Sequence, residues 1–211
     1  MDAINTSQLA GIFVLSYLLG SIPFGLVVTR LFTSVDIRQH GSGNIGATNV
    51  RRLAGTRLGL LTLAGDVLKG TLPVYLAGIA AHPDMSGREV YISVVAFSAF
   101  VGHLYPLYLK FKGGGKGVAT AFGCMLMVSP MAVVLALLAF LLIAWRSNRV
   151  SAGSLAAAAV LSPAVWWTTR EPSYAVCALL IAVFIFVRHR DNIRRLVAGT
   201  EPGFRSRPPE R

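Results

Sequence analysis

The sequence predicts an all-α integral membrane protein with about seven transmembrane helices, two of them short, N-terminus outside and C-terminus cytoplasmic. Three observations carry this. Only 14% of the 211 residues are charged, 54% are hydrophobic, and mean hydropathy is +0.61. A soluble domain has about 25% charged residues, so this chain lacks the charge for a water-facing surface. Second, uncharged runs long enough to cross about 30 Å of hydrocarbon follow one another along the chain. Third, the basic residues collect in the short segments between those runs, where they set orientation by the positive-inside rule.

The elements follow in order. Residues 9–29 are uncharged, with Pro23 expected to kink the span. No basic n-region precedes them and no small-residue cleavage site follows, so they are expected to stay as a helix rather than leave as a signal peptide. Residues 30–57 form a polar loop with five Arg and one Asp. Residues 58–81 are apolar except for Asp66 and Lys69, and 90–109 are apolar with one His103. Between those two spans lies a loop with one Arg and two acids. Residues 110–116 carry three Lys and no acid, and Arg146 with Arg149 makes a small basic turn. Both basic segments belong inside, so 117–145 must cross an even number of times. As one helix its 29 residues would span about 44 Å, too long for one crossing. Ser129–Pro130 is the natural break, giving two short helices near 117–128 and 130–145. Residues 150–169 and 172–187 complete the seven. The whole, 1–211, is expected to be a single membrane-embedded domain, with 188–211 as a basic cytoplasmic tail of seven Arg and three acids.

The net charge of +11 would suggest nucleic acid in a soluble chain. Here its placement in short loops points to topology and to anionic lipids or substrates, so no nucleic-acid partner is expected. Cys124 and Cys177 lie inside apolar runs without a C-x-x-C partner, so neither a disulfide nor a metal framework is supported. Gly11, Gly20, Gly25, Gly59, Gly65 and the alanine run 156–159 suit close helix packing in lipid.

Three polar clusters fall on the expected cytoplasmic side. The first runs Gly41-Ser42-Gly43-Asn44-Ile45-Gly46-Ala47-Thr48-Asn49-Val50-Arg51-Arg52. Glycines at this density let backbone N–H groups turn toward one anion. Ser42, Asn44, Thr48 and Asn49 add neutral donors, and Arg52 can grip phosphate bidentately. The second runs Lys112-Gly113-Gly114-Gly115-Lys116-Gly117 before an apolar helix, where open N–H groups and a lysine suit phosphate, though alone it equally suits a flexible basic turn. It is no Walker loop, since Gly117 stands where Ser or Thr should follow the lysine. The third is His189-Arg190-Asp191-Asn192-Ile193-Arg194-Arg195, with Glu201 beyond; alone it better suits an interfacial helix holding anionic lipid. Asp66 and Lys69, three apart on one span, share a face. They are either a buried structural pair or a substrate contact. Ser151 opens a helix and suits an N-cap.

Taken together, these clusters resemble the acyl-phosphate-dependent glycerol-3-phosphate acyltransferases of bacterial inner membranes. The resemblance covers nearly the whole chain, in order. It implies a seven-helix bundle with its active site near the cytoplasmic face. It also implies acyl transfer from acyl phosphate to the 1-hydroxyl of glycerol 3-phosphate, giving lysophosphatidic acid without cofactor or metal. The catalytic set it implies is Ser42, Arg52, Lys116, His189 and Asn192. Substrate-binding positions are Gly41, Gly43, Asn44, Gly46, Thr48, Asn49, Gly114, Gly115, Gly117 and Ser151, with Asp66 and Lys69. Glu201 matches the family's final acid, in a structural role. This chain has three glycines before Lys116 where the family pattern has two, so positions are matched from Lys116 forward and the contact of Lys112 stays open.

Acyl phosphate is already activated, so the protein needs mainly positioning and electrostatics. His189 is the one clustered histidine available as base; a substrate phosphate serving as base would remove the need for a His–Asp pair. No histidine has an Asp five residues later, which excludes the His-x-x-x-x-Asp signature of soluble-type acyltransferases. The alternative from another class is a small organic-anion transporter or channel, favoured by the half-helices and the intramembrane pair and weakened by the lack of matched halves. A non-catalytic lipid-binding scaffold leaves the first cluster unexplained. Membrane lipid is the expected surrounding partner, and a monomer would suffice.

Overall fold

The computed structural model describes residues 6–204. Residues 1–5 and 205–211, with Asp2 and the last three arginines of the tail, lie outside the described residues. Among the described residues there are ten α-helices and one 3-10 turn and no strand. They group into two compact units that divide after Val128.

In the first unit, α1 (Thr6–Gly20) and α2 (Phe24–Phe32) are bent 48° from each other. Pro23 has no N–H to continue the ladder, so the span expected at 9–29 is broken rather than gently kinked. A short helix, α3 (Ala47–Ala54), lies within the segment expected to be loop, and α4 (Thr56–Ala80) follows after Gly55. Then come α5 (Arg88–Leu104), the 3-10 turn Leu107–Leu109 and α6 (Val118–Val128).

Close helix approach explains several glycines. A Cβ on Gly20 would strike the Ala99 backbone, and one on Gly102 the Tyr17 carbonyl, so α1 and α5 meet backbone to backbone. Gly70 and Gly123 do the same for α4 and α6, against Thr120 and Val67. Gly25, Gly59 and Gly65 are similarly pressed, against Ile45, Arg51 and Phe24. The expectation fails at Gly11, which faces open space; its side of α1 is exposed.

The second unit holds α7 (Pro130–Ser147), α8 (Val150–Thr169), α9 (Pro172–Arg188) and α10 (Arg190–Val197). Ser129 caps α7 by accepting from the Ala132 N–H, and Pro130 occupies the first turn. The break is where the sequence placed it. Yet α7 continues through Arg146 to Asn148, whose left-handed backbone (φ 55°) ends it. At 18 residues it is long enough to cross alone, so of the two helices expected to be short only α6, with 11, is short. Gly153 lies against the Phe140 carbonyl and Ala144, joining α8 to α7.

Among the described residues four helices, α4, α5 with its 3-10 extension, α7 and α8, are long and apolar enough to span a membrane; the bent pairs α1/α2 and α9/α10 raise this to six. Large apolar side chains such as Leu138, Leu142, Trp145, Leu179 and Val183 are exposed, as lipid-facing positions should be.

Candidate active site

The glycine-rich segment of the first unit has a hydrophobic core of its own. Leu26, Ile37, Ile45 and Val50 are buried together, with Val35, Leu53, Leu58 and Leu109 packed around them. Two isoleucines and a valine, spaced through a polar sequence, therefore fold the loop over α2 and α3. Asn49 locks it from within. Its side-chain nitrogen donates to the carbonyls of Ile37 (3.0 Å) and His40 (3.3 Å), and its oxygen accepts from the Ser42 N–H at 3.0 Å. Asn49 is 2% exposed, so its hydrogen-bonding groups face the loop's own backbone. Gly41 must be glycine twice over: φ is +63°, and a Cβ would meet the Asn49 oxygen. Asn44 accepts from the Gly46 N–H at 2.9 Å. Upstream, Asp36 takes a bidentate pair from Arg38 and also its N–H; those bonds hold the carboxyl well below the usual range. Ser42, Thr48 and Arg52 point outward from this scaffold and are exposed.

The lysine loop is built differently. Gly114 lies on the Leu104 carbonyl, Gly115 on the His103 ring, and Gly117 (φ +84°) on the Phe100 ring. The Gly115 N–H donates to the His103 carbonyl at 3.2 Å. Side chains at these glycines would lift the loop off the last turn of α5. Lys116 is half-buried and Lys112 exposed.

Asp66 and Lys69 pair at 2.9 Å, and both are nearly sealed. The Lys69 ammonium also donates to the Ile22 carbonyl at 2.8 Å, in the break ahead of Pro23, and sits 6.0 Å from the Phe24 ring centroid. His103 Nδ1 lies 3.6 Å from the same Asp66 oxygen. The sequence reading missed this third member, and the signal for it was a lone histidine in an otherwise apolar span.

In the second unit the polar cluster gathers on one carboxylate. Ser151 donates to Glu201 Oε1 at 2.6 Å, Asn192 Nδ2 donates to the same oxygen at 2.6 Å, and Arg195 Nε donates to Oε2 at 2.7 Å. Burial pushes the Glu201 carboxyl up, but the bonds from Ser151, Asn192 and Arg195 outweigh it and hold the group below its ordinary value. The N-cap of α8 is Arg149, so Ser151 does not cap the helix as the sequence suggested; it ties α8 to the tail. His189 stands at the bend between α9 and α10, 2% exposed, with Nδ1 2.8 Å from the Ile185 carbonyl. A carbonyl only accepts, so Nδ1 carries the hydrogen and Nε2 is the basic nitrogen of the neutral ring. Arg195 is the second residue the sequence reading missed; it looked like one of several topogenic arginines. Among the described residues, no three His, Cys, Asp or Glu side chains are grouped to hold a metal ion.

These features match known proteins over nearly the full length. Residues 10–199 match the family model described as glycerol-3-phosphate acyltransferase. A protein of that name from Syntrophotalea carbinolica is 48% identical over 90% of this chain and 95% of its own. One from Trichlorobacter lovleyi is 44% identical over 93% and 99%. The crystal structure of PlsY, an integral membrane glycerol 3-phosphate acyltransferase, in its glycerol 3-phosphate form superposes with a TM-score of 0.87 at 36% identity, covering 93% of this chain and 96% of that one. Its lysophosphatidic acid form gives 0.85. The anion-transporter alternative finds no support among these relatives.

Proposed function

The chain belongs to the glycerol-3-phosphate acyltransferase family and is a multi-pass membrane acyltransferase; on that premise we propose that its acyl donor is acyl phosphate and its acceptor the 1-hydroxyl of glycerol 3-phosphate. The observation that supports this best is the outward set Ser42, Thr48 and Arg52, standing on a loop whose shape is fixed from below by Asn49 and Ile45. Two phosphate-bearing substrates need cations and N–H groups already in place. We assign phosphate holding to Arg52, Lys116 and the Gly41 N–H, with Ser42, Asn44 and Thr48 as neutral donors, while Gly43, Gly46, Gly114, Gly115 and Gly117 let the two loops take their shape.

In the transfer step the substrate hydroxyl oxygen bonds to the acyl carbon, and the bond from that carbon to the phosphate oxygen breaks. Inorganic phosphate leaves with the electron pair, and the hydroxyl proton passes to a phosphate oxygen. No protein base is then required. His189 is buried and held by the Ile185 carbonyl, which favours a role in binding and orientation. Asn192 and Ser151, set by Glu201, orient glycerol 3-phosphate. Asp66 and Lys69, closed on each other, act through the fold rather than by touching substrate.

For the membrane we propose seven crossings, with α6 as the short one, the N-terminus outside and the C-terminus cytoplasmic. This keeps 30–57, 110–116, 146–149 and the basic tail on one side. It puts the phosphate-handling loops at the cytoplasmic face of the bacterial inner membrane, where soluble phosphorylated substrates are made.

The deciding experiment supplies purified protein in detergent with labelled glycerol 3-phosphate and either palmitoyl phosphate or palmitoyl-CoA. Lysophosphatidic acid from the acyl phosphate alone, falling about 10²–10³-fold in Lys116→Ala, is the expected result. Product from palmitoyl-CoA at a comparable rate would overturn the donor assignment.

A further inference from the structure

The glycine–lysine loop and the buried Asp66–Lys69 pair share a neighbour. His103 is 3% exposed and ends α5 with one face on each. Its Nδ1 is 3.6 Å from Asp66. Its far edge fills the space that a side chain at Gly115 would need, and its own carbonyl accepts the Gly115 N–H. Behind it, Lys69 bridges Asp66 to the Ile22 carbonyl at the α1/α2 break. A buried charge pair costs several kcal/mol to desolvate, so it survives where partners fix it in one geometry. Here the fixed geometry runs from the broken helix through Asp66 and the imidazole to the backbone that carries Lys116.

We propose that His103, anchored by Asp66 and backed by Lys69, is a positioning residue for the Lys116 loop: it sets the height of the loop on the last turn of α5, and with it the reach of the Lys116 ammonium to substrate phosphate. The proposal rests on the phosphate-holding role given to Lys116. It predicts that a change inside the membrane span acts on the reaction through that lysine and no other route.

The test is a double-mutant cycle on the full chain in detergent, reading kcat and KM for palmitoyl phosphate and glycerol 3-phosphate. A misplacement of about 1 Å lowers rate about 100-fold, so His103→Ala should lose about that factor in kcat/KM. His103→Asn, with an amide nitrogen near the place of Nδ1, should recover most of it. The double variant Lys116→Ala/His103→Ala should be no worse than Lys116→Ala alone, because nothing remains for His103 to position. Losses that multiply, or a fully active His103→Ala beside a strongly impaired Lys116→Ala, would overturn the proposal while leaving Lys116 as phosphate holder. An active Lys116→Ala would remove the underlying assignment and the proposal together. A second measurement does not depend on how well His103→Ala folds. Gly115→Ala should be nearly inactive, and adding His103→Asn, shorter at the far edge, should restore activity; failure of that suppression also counts against the proposal.

Discussion

The glycine loop of residues 41–52 and the carboxylate cluster around Glu201 are both polar and both belong to the expected active site, yet they are stabilised in opposite ways. The loop is shaped by its backbone and by apolar residues underneath, with the amides of Asn49 and Asn44 stitching it, so Ser42 and Arg52 are left outward. In the cluster the expected functional side chains are themselves the stitching: Ser151 and Asn192 donate to the carboxylate that orders them. Function and stability are therefore separable in the loop and coupled in the cluster.

The sharpest test of that contrast is Arg52→Ala. Loss of one preorganised cation or donor lowers turnover about 10²–10³-fold, and because Arg52 is exposed the melting temperature should stay at the wild-type value. A large fall in melting temperature would break the comparison. Glu201→Ala comes next. Two short hydrogen bonds and the Arg195 pair go at once, and a buried group left unsatisfied costs about 1–3 kcal/mol. Activity and thermal stability should fall together, with Glu201→Gln keeping part of each; a melting curve and an activity assay on the same sample decide it. Gly41→Ala ranks third, since a left-handed backbone costs a non-glycine residue about 1–2 kcal/mol and the new methyl meets Asn49. KM should rise more than kcat falls, because only the shape of the binding loop changes. The smallest effect is pH-dependent. A native carboxyl held below its ordinary 4.5 stabilises the fold fully above that value and loses its contribution as pH falls through the lowered native value. Melting temperature should drop on such acidification in the wild type and change less in Glu201→Gln.

How much of this was legible beforehand follows the same division. The apolar helices were legible because hydrocarbon demands long uncharged runs, and the Ser129–Pro130 break because serine caps and proline starts helices. The polar clusters stood out because glycine, serine and asparagine gather there at a density that topogenic arginines alone do not explain. What stayed hidden were partnerships across the sequence. Nothing local links Ser151 to Glu201, fifty residues on, or His103 to Asp66. Helix α3 was hidden for another reason. Its first turn, with Thr48, Asn49 and Val50, has a weak intrinsic preference for helix, which the burial of Val50 in the small core overrides.

The backbone of Phe204 closes on the Asn148 carbonyl at 3.2 Å, and Glu201 lies three residues earlier. The acceptor that orders Ser151 and Asn192 is thus the last of the cluster to be synthesised. Until Glu201 is made and released from the ribosome, Ser151 and Asn192 have no carboxylate to close on, whatever α7 and α8 have already done in the bilayer. A chain released early by a premature stop codon at Thr200 would therefore keep every apolar span and reach the membrane, yet arrive there with this cluster unassembled.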